Sequence, residues 1–549
     1  MTDRSVAHPG PGDVPGLLRR AAAAQQAGRL AEADQLCRTV LATHPGNADA
    51  QFMLAGVAVA AGRPAAAIDL LRQAIACNPG RADFHGNLGA ILGRLGRLDE
   101  AIECFRAAIR LEPAAAAGHL ALGNALQAKG DLDGAIASFR EGTAAQPGNP
   151  AAHVNLGNAL RAAGRLDQSA ASLREAVRLD PNLPEAQHNL GVVLFTQGHL
   201  VEAEAAFRAA LRLKPDSQLA FRQLALLLIA AGRLEEAARF LIEPVRDLRR
   251  PGAAGDSATF RQTNRVKLQH DADQLSYLVD RQFVPGSLTA VIAEHRALLA
   301  QVSDDRTVEI APAVWPGLAA QYNRLVHLRE TPARPEGALS ADWDGANVER
   351  DYRAHAPGFT WFDGLLTADA RRELWRFCVE STIWFQMTFK NEVSATLFNG
   401  FCCPLLLQVA QELRQRLPGI LGGQPLSLAW AYKYCGPFSG LGPHADDGAV
   451  AVNFWLTPDE ANEDPERGGL VIWDRLVPEH YLRRDRAAQA QMIQSLIQEP
   501  GTTAVTVPYR CNRAAIFDGM IAHSTDQFRF KDGYESRRIN ITLLYGRTD

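Results

Sequence analysis

His444 and Asp446 stand two residues apart in the polar segment from Gly442 to Asp447. Residues i and i+2 of an extended strand lie on one face, so this imidazole and carboxylate are placed to bind one metal ion, with Asp447 pointing away. His523 offers a third ligand 79 residues after His444, past a predicted strand and a Gly turn. Two histidines and one carboxylate leave coordination positions open, which is typical of a non-haem Fe(II) site.

The last predicted strand carries a second group of polar side chains. Alternation in the stretch from Arg537 to Tyr545 places Arg538, Asn540 and Thr542 on one face. A planar guanidinium is suited to a bidentate pair with a carboxylate ligand. Arg537 competes with Arg538 for this role, and the polar residues on its face favour Arg538.

The order of these groups resembles the 2-oxoglutarate- and Fe(II)-dependent oxygenase superfamily, in its prolyl-hydroxylase-like form, over residues 346–549. The shared features are His-x-Asp, a distal His, and an Arg in a strand 15 residues after that His. The resemblance implies that His444, Asp446 and His523 are the catalytic metal ligands for Fe(II). It also implies that Arg538 anchors the far carboxylate of the cosubstrate 2-oxoglutarate, with O2 as the other cosubstrate.

Two more residues are candidates for cosubstrate binding. Tyr434 lies ten residues before His444, where members of this superfamily often bond the cosubstrate carboxylate through a Tyr, and Asn453 lies on the strand after the ligand loop. The alternative for Tyr434 is an aromatic residue of the core, and the alternative for Asn453 is an amide that hydrogen-bonds the backbone. His480 competes with His523 as distal ligand, although it stands in a predicted insertion and not after a buried strand.

The sequence predicts two helices followed by short strands as the elements that position the candidate metal-binding and cosubstrate-binding side chains. Six strands at this density fit a double-stranded β-helix, or jelly roll, with flanking helices. A helical insertion from Tyr481 to Gln498 interrupts the ladder and is predicted to be a lid or substrate wall. The predicted helices are Ala368 to Ser381 and Pro404 to Arg416, and the strands are Leu428 to Tyr434, Ala449 to Leu456, Gly469 to Trp473, Thr503 to Pro508, Ala514 to Phe517 and Arg538 to Tyr545.

Residues 15–251 repeat with a period of 34 residues. Two amphipathic helical patterns fill each unit, with Gly ending the first helix and Pro just past the second. The pattern resembles seven tetratricopeptide repeats and predicts an all-α solenoid. Gly recurs at 28, 62, 96, 130, 164, 198 and 232, and Pro at 45, 79, 113, 147, 181 and 215.

The first helices of such repeats line a concave surface that is available to a protein or peptide. Asn87, Asn155 and Asn189 recur along that line, with Ala121 and Gln223 at the intervening positions. The spacing resembles the Asn rows by which some tetratricopeptide superhelices hold extended peptide backbone, although Ala121 breaks the row. Solvated polar groups on a helix surface are the alternative.

Composition and length bound the remaining expectations. A chain of 549 residues, 47% apolar and 21% charged, is globular and too long for one core. A net charge of −4 gives no indication of a nucleic-acid partner. The sequence also contains no apolar run long enough for a membrane segment. Eight scattered cysteines without paired zinc spacing suit reduced thiols, so a cytoplasmic location is expected.

The sequence therefore predicts a multidomain chain. Residues 1–14 are expected to be a disordered N-terminus, 252–345 a helical connector and linker, and 346–549 the oxygenase-like domain. The predicted function is hydroxylation of a protein or peptide recruited by the repeats. Two alternatives are a repeat scaffold with an inactive jelly roll, and a metal-dependent cupin-type enzyme that does not use 2-oxoglutarate.

Overall fold

The computed structural model describes residues 13–250, 258–302, 306–319, 321–387, 391–436, 442–482 and 486–546. The chain forms two compact units, Met1–Gln223 and Leu224–Asp549, and the division falls inside the thirteenth helix. The second helix of the predicted seventh repeat thus belongs to the C-terminal unit. The predicted boundary at residue 251 marks the end of that helix and not the division between compact units.

The N-terminal unit is built from antiparallel helix pairs in which each helix packs on its neighbours in sequence. The 34-residue period and the helix pairs agree with the predicted all-α solenoid. The helices of the repeat region are α1 Val14–Gln26, α2 Leu30–Thr43, α3 Ala48–Ala60, α4 Pro64–Cys77, α5 Ala82–Arg94, α6 Leu98–Leu111, α7 Ala116–Lys129, α8 Leu132–Ala145, α9 Pro150–Ala162, α10 Leu166–Leu179, α11 Pro184–Thr196, α12 Leu200–Leu213, α13 Gln218–Ala230 and α14 Leu234–Arg249.

Glycine serves two purposes in the repeats. The turn glycines have positive φ, as at Gly130 with φ 90°, a conformation in which a Cβ is unfavourable. Within the first helix, Gly123 of α7 lies against the ring of Phe139 of α8, and a Cβ on Gly123 would come 2.5 Å from that ring. The recurring small residue therefore makes room for the large residue of its partner helix.

The C-terminal unit combines α14 with further helices and three sheets, of which the smallest is formed by its first two strands. Beyond α14 its helices are α15 Arg265–Asp280, α16 Thr289–Leu299, α17 Trp315–Leu318, α18 Gly345–Ala354, α19 Ala368–Glu380, α20 Pro404–Arg416, α21 Pro418–Leu421, α22 Glu479–Leu482 and α23 Arg486–Ile497. Its strands are β1 Gln262–Thr263, β2 Val308–Glu309, β3 Phe359–Phe362, β4 Gln386–Met387, β5 Glu392–Thr396, β6 Leu426–Tyr434, β7 Val450–Trp455, β8 Leu470–Leu476, β9 Ala504–Val507, β10 Ala514–Asp518, β11 Ile521–Thr525 and β12 Ile539–Tyr545.

The large sheet has seven strands in the order β3-β10-β7-β12-β6-β5-β4, and the small sheet has three in the order β11-β8-β9. All their pairings are antiparallel. Apolar side chains of both sheets share one core, which includes Trp455 and Phe517 from the large sheet and Ile472 and Ile521 from the small one. The large and small sheets therefore pack face to face. Strand β11, which carries His523, is an edge strand of the small sheet.

The connector is integrated into this unit through buried polar contacts. Gln274 of α15 donates to the carbonyl oxygens of Val379 and Ser381 at 3.1 and 2.9 Å. Arg329, in the stretch before α18, pairs with Glu380 at 2.6 Å. The connector thus completes the packing around α19 and is more than a spacer.

Several elements differ from the sequence-based expectations. Within the connector, the sequence predicts helices from Leu275 to Val284 and from Leu288 to Val302, whereas α15 begins at Arg265, ten residues before Leu275. The strands β1, β2, β4, β5 and β11 were not predicted. The insertion forms two helices in place of one. Helices α19 and α20 lie where they were predicted, and the Thr367 side chain caps α19 by accepting from the amide of Ala370. Among the helices that the structure describes, none is long and apolar enough to cross a bilayer.

Candidate metal centre

His444 and Asp446 lie in an irregular segment, and not in the extended strand that the spacing predicts. His444 and His523 exchange two backbone hydrogen bonds of 2.8 Å, which form a single antiparallel bridge to β11. The amide of Asp446 then donates to the carbonyl oxygen of Gly519 at 2.8 Å. Pro443 has no amide hydrogen, so it cannot extend the ladder on the preceding side. These main-chain contacts hold both side chains next to β11.

The three predicted ligands converge. One ligand atom from each of His444, Asp446 and His523 lies within 4.8 Å of the other two. The His523 Nε2 atom is 3.7 Å from the Asp446 Oδ2 atom, and the two imidazole centroids are 4.3 Å apart. Among the residues that the structure describes, this is the one group of His, Cys, Asp or Glu side chains arranged to hold a metal ion.

Backbone carbonyl groups orient both imidazoles. The Nδ1 atom of His444 donates to the Gly442 oxygen at 3.0 Å, and the Nδ1 atom of His523 donates to the Ile521 oxygen at 3.0 Å. A proton held on Nδ1 leaves the Nε2 lone pair for a metal ion. The tautomer that metal binding needs is therefore favoured by the main chain.

The charge balance of the pocket also suits a cation. Burial raises the pKa of Asp446 to about 6, against the opposing effect of His444, and burial lowers the pKa of His523 to about 4. Asp446 is 9% exposed and His523 is 4% exposed. A divalent cation would favour the ionised carboxylate and the neutral imidazole at once. The donor set therefore fits a divalent first-row metal such as Fe(II).

The competing residues lie elsewhere. Asp447 and His480 are both exposed, and neither joins the group of converging side chains. His480 is part of the short helix α22. The structure thus brings together the three residues chosen from the sequence and leaves these two outside.

Arg538 immediately precedes β12 and is 1% exposed. Its Nε atom donates to the Gly468 oxygen at 2.8 Å, and its Nη1 atom makes a long bond of 3.4 Å to Asn540 Oδ1. Its Nη2 atom is buried without a hydrogen-bond partner in the described part of the chain. Burial lowers the pKa of Arg538, opposed mainly by Tyr434 and Tyr509. A buried guanidinium with an unused donor is an anchor for an anionic ligand.

Aromatic rings surround the Arg538 guanidinium. Its central carbon lies 4.8 Å from the Phe528 centroid, 5.0 Å from Tyr434, and 5.9 Å from both Trp455 and Tyr509. Rings at these distances stabilise a cation through their π faces while excluding water. Tyr434 is a candidate from the sequence; the other three rings come from separate elements, and no local motif marks them.

Tyr434 and Asn453 both face this interior. The Asn453 Nδ2 atom donates to Thr542 Oγ1 at 2.9 Å, whereas its Oδ1 atom has no hydrogen-bond partner among the described residues. Burial raises the pKa of Tyr434, so its phenol keeps its proton. Asn453 and Trp455 border the same core as Phe517, whose ring lies 4.7 Å from that of His523. The anchor and the metal ligands thus border one interior.

The helical insertion packs against residues that neighbour His444, Asp446 and His523. Ile493 of α23, Val477 and Ala522 form an apolar cluster, against which Ala445 packs. Ala445 lies between His444 and Asp446, and Ala522 precedes His523. The insertion therefore contacts residues next to all three candidate ligands.

Comparisons with known proteins identify the repeats. A sequence model of the tetratricopeptide repeat matches residues 24–91, and one described as the cilia and flagella-associated protein 70 C-terminal domain matches residues 78–268. Together with the 34-residue period and the helix pairs, these matches show that the N-terminal region consists of tetratricopeptide repeats. Both matches end before the candidate metal centre, and no curated protein matches the chain significantly.

Solved structures match part of the chain with low similarity. PilF of Pseudomonas aeruginosa is 18% identical, with 39% of this chain and 97% of PilF covered and a TM-score of 0.35. YrrB, described as a TPR protein with an unusual peptide-binding site, is 18% identical over 34% of this chain and 95% of its own, with a TM-score of 0.31. A thermophilic TPR protein of Thermus thermophilus is 24% identical over 33% of this chain and 99% of its own, with a TM-score of 0.28.

Proposed function

We propose that the C-terminal unit is an Fe(II)- and 2-oxoglutarate-dependent dioxygenase that hydroxylates a protein or peptide recruited by the repeats. The observation that carries the proposal is the convergence of His444, Asp446 and His523 within 4.8 Å. Two imidazoles and one carboxylate on one side of a metal are the ligand set of non-haem Fe(II) oxygenases.

The surroundings of Arg538 support 2-oxoglutarate as the cosubstrate. The Nη2 atom of Arg538 and the Oδ1 atom of Asn453, which have no hydrogen-bond partner among the described residues, are buried polar groups that a bound ligand would satisfy. A carboxylate accepts from the guanidinium and from the protonated Tyr434 phenol, while the aromatic rings keep water away. This combination favours an anionic cosubstrate over a cupin-type site that uses none.

The strand arrangement supports the same assignment. A large and a small antiparallel sheet share one apolar core, with the metal ligands on the small sheet and on the segment bridged to it. Facing antiparallel sheets of this kind are typical of jelly rolls. We therefore interpret the C-terminal unit as a double-stranded β-helix with flanking helices.

The protein's part in the reaction is positional and electrostatic. Bound Fe(II) and 2-oxoglutarate would supply the activation of O2 for hydroxylation. The carbonyl groups of Gly442 and Ile521 orient the rings of the two histidines, and Asp446 would offset metal charge in a buried pocket. The Arg538 side chain holds the far end of the cosubstrate.

The proposed partner is a protein or peptide bound by the first helices of the repeats. A cavity of about 380 Å³ lies on the face formed by α5, α6 and α7, and its lining includes Asp83, Asn87, Glu112 and Ala121. Asn87 Nδ2 donates to the Asp83 backbone oxygen at 2.8 Å, which leaves its amide oxygen available. A cytoplasmic location is part of the same proposal.

Anaerobic titration of the full chain with Fe(II) and then 2-oxoglutarate tests the proposal. We expect one Fe(II) per chain and, after 2-oxoglutarate addition, a weak visible charge-transfer band. Asp446→Ala is the negative variant and Asp447→Ala is its matched control, because the two carboxylates are neighbours and only Asp446 joins the triad. Iron binding without the band would indicate a cupin-type enzyme. No iron binding would indicate a scaffold with an inactive domain.

A further inference from the structure

A second buried arginine faces an open cavity in the C-terminal unit. The cavity holds about 910 Å³, and α15 forms one of its walls. Asn391, the residues from Tyr434 to Gly436 at and after the end of β6, and residues between Phe528 and Arg538 also line it. None of the three metal ligands lines it, but Arg538 and Tyr434 do, so it lies beside the proposed cosubstrate anchor.

Arg537 is fixed at the border of this cavity from two sides. Its Nη2 atom pairs with Asp273 of α15, and the Tyr534 ring lies 5.2 Å from its guanidinium carbon. Asp273 is in turn held by Gln269, whose Nε2 atom is 2.9 and 2.8 Å from the two carboxylate oxygens. The side chain is therefore oriented before any ligand arrives.

One nitrogen atom of the Arg537 guanidinium, Nη1, has no hydrogen-bond partner among the described residues. Arg537 is 8% exposed, and its Nη1 atom is buried. Buried cationic donors are rarely left without an acceptor, and a planar guanidinium can bind two carboxylates through different nitrogens. The Asp273 carboxylate occupies Nη2, so Nη1 is available for a second anion.

We propose that Arg537 is a substrate-recognition residue that binds a carboxylate of the polypeptide substrate through Nη1, with Asp273 as its positioning partner. The inference rests on the proposed function, because it names the substrate chemistry of that site. Recognition comes from the orientation of Nη1 and not from the overall field, since Asp280 and Asp532 line the same cavity as Arg265 and Lys531. An Asp or Glu side chain and a C-terminal carboxylate are the two sources of this group.

Small carboxylate probes test this assignment on the full chain. N-acetylaspartate N-methylamide presents a side-chain carboxylate, N-acetylglycine presents a main-chain carboxylate, and their neutral amides are the controls. We expect ligand-observed NMR to give at least tenfold tighter binding for one acid than for its amide. Arg538 lines the same cavity and is itself a proposed carboxylate anchor, so the comparison is made on the Arg538→Gln chain. That chain should retain the preference for the acid, and adding Arg537→Gln should remove it. A wild-type chain that binds acid and amide equally overturns the proposal.

Two further measurements separate recognition from a structural role. Arg537→Lys keeps a charge for Asp273 but has no second planar donor, so we expect a folded variant with a several-fold weaker preference for the acid. A folded Arg537→Lys or Arg537→Gln chain with the full wild-type preference contradicts the proposal. Probe binding needs neither Fe(II) nor 2-oxoglutarate, so a failed metal titration with probe binding intact refutes the proposed function alone.

Discussion

Asp446 supplies the negative charge of the candidate centre. We expect Asp446→Ala to lose Fe(II) binding and turnover, because two neutral imidazoles would then hold a divalent ion in a buried pocket without a countercharge. Asp447→Ala should keep most activity, since Asp447 is exposed. Bound-iron analysis and succinate release measure both effects. Near wild-type iron content in Asp446→Ala would show that the triad is wrongly assigned.

Arg538 and Arg537 are adjacent but have different surroundings. Arg538→Ala removes the proposed partner of a buried carboxylate, at a cost of about 2–5 kcal/mol, so the 2-oxoglutarate requirement should rise tens-fold or more. Arg537→Ala should change that requirement little, because its guanidinium is engaged with Asp273. Steady-state kinetics with varied 2-oxoglutarate distinguishes the two. A larger effect at Arg537 would place the cosubstrate on the other side of the strand.

At the scale of elements, the repeat helices interlock through a small and a large residue. Gly123→Ala should destabilise the repeats, because the added Cβ would come 2.5 Å from the Phe139 ring, and overpacking costs about 1–3 kcal/mol. Gly86→Ala is the matched control. It lies inside α5 with no atom within 4 Å of the added Cβ, so higher helix propensity should stabilise it by up to about 1 kcal/mol. Chemical unfolding followed by circular dichroism measures both. Equal effects would refute the interlocking role.

Helix α15 buries a histidine that makes the C-terminal unit sensitive to acid. His270 is fully buried, and desolvation lowers its pKa well below the usual value, helped by Lys433 and Arg537 and opposed by Asp271. Below about pH 6.5 the His270 ring binds a proton in the unfolded chain but stays neutral in the folded one. The contribution of the neutral His270 ring to stability is therefore present above that pH and is lost as the pH falls below it.

We therefore expect the free energy of unfolding to fall by about 1 kcal/mol more in wild type than in His270→Gln between pH 7.5 and 5.5. His270 is surrounded by Trp384, Tyr534 and Asp271, and no solvent reaches it to relieve the cost. Urea unfolding at the two pH values, with the C-terminal transition followed by tryptophan fluorescence, gives the difference. Equal pH dependence in the two chains would show that the ring titrates normally.

The elements missed by sequence reasoning share a cause. The first ten residues of α15, before the predicted start at Leu275, bury Lys267, His270 and Gln274, so polarity hides the helical period there. Strand β11 consists of Ile-Ala-His-Ser-Thr after a tight turn and is fully buried, although its composition suggests a loop. In contrast, the repeat helices and the order of the metal ligands follow from local spacing. The aromatic rings around Arg538 come together only through tertiary packing.

At the scale of the whole molecule, the division of the chain determines which fragments can function. The unit that contains the candidate centre begins at Leu224, so α14 and the connector belong with the sheets. Lys433 is fully buried, and its Nζ atom donates to the Cys378 oxygen and to the Tyr534 hydroxyl, both at 2.7 Å. The connector covers this region through α15, whose Gln274 bonds the end of α19.

A fragment of residues 218–549, which keeps α13 whole, should fold and bind Fe(II) with near wild-type stoichiometry. A fragment of residues 345–549 should not, because removing α15 and Arg329 exposes the buried side chains of Trp384 and Lys433 and leaves Glu380 with Arg376 alone from a buried ion-pair network. Exposing large core side chains and removing one partner from a buried ion-pair network together cost several kcal/mol, which is comparable to the whole stability of a domain. Circular dichroism and bound-iron analysis of both fragments provide the measurement. If the shorter fragment is folded and binds Fe(II) as tightly as the longer one, the connector is dispensable and its buried polar contacts contribute nothing to the centre.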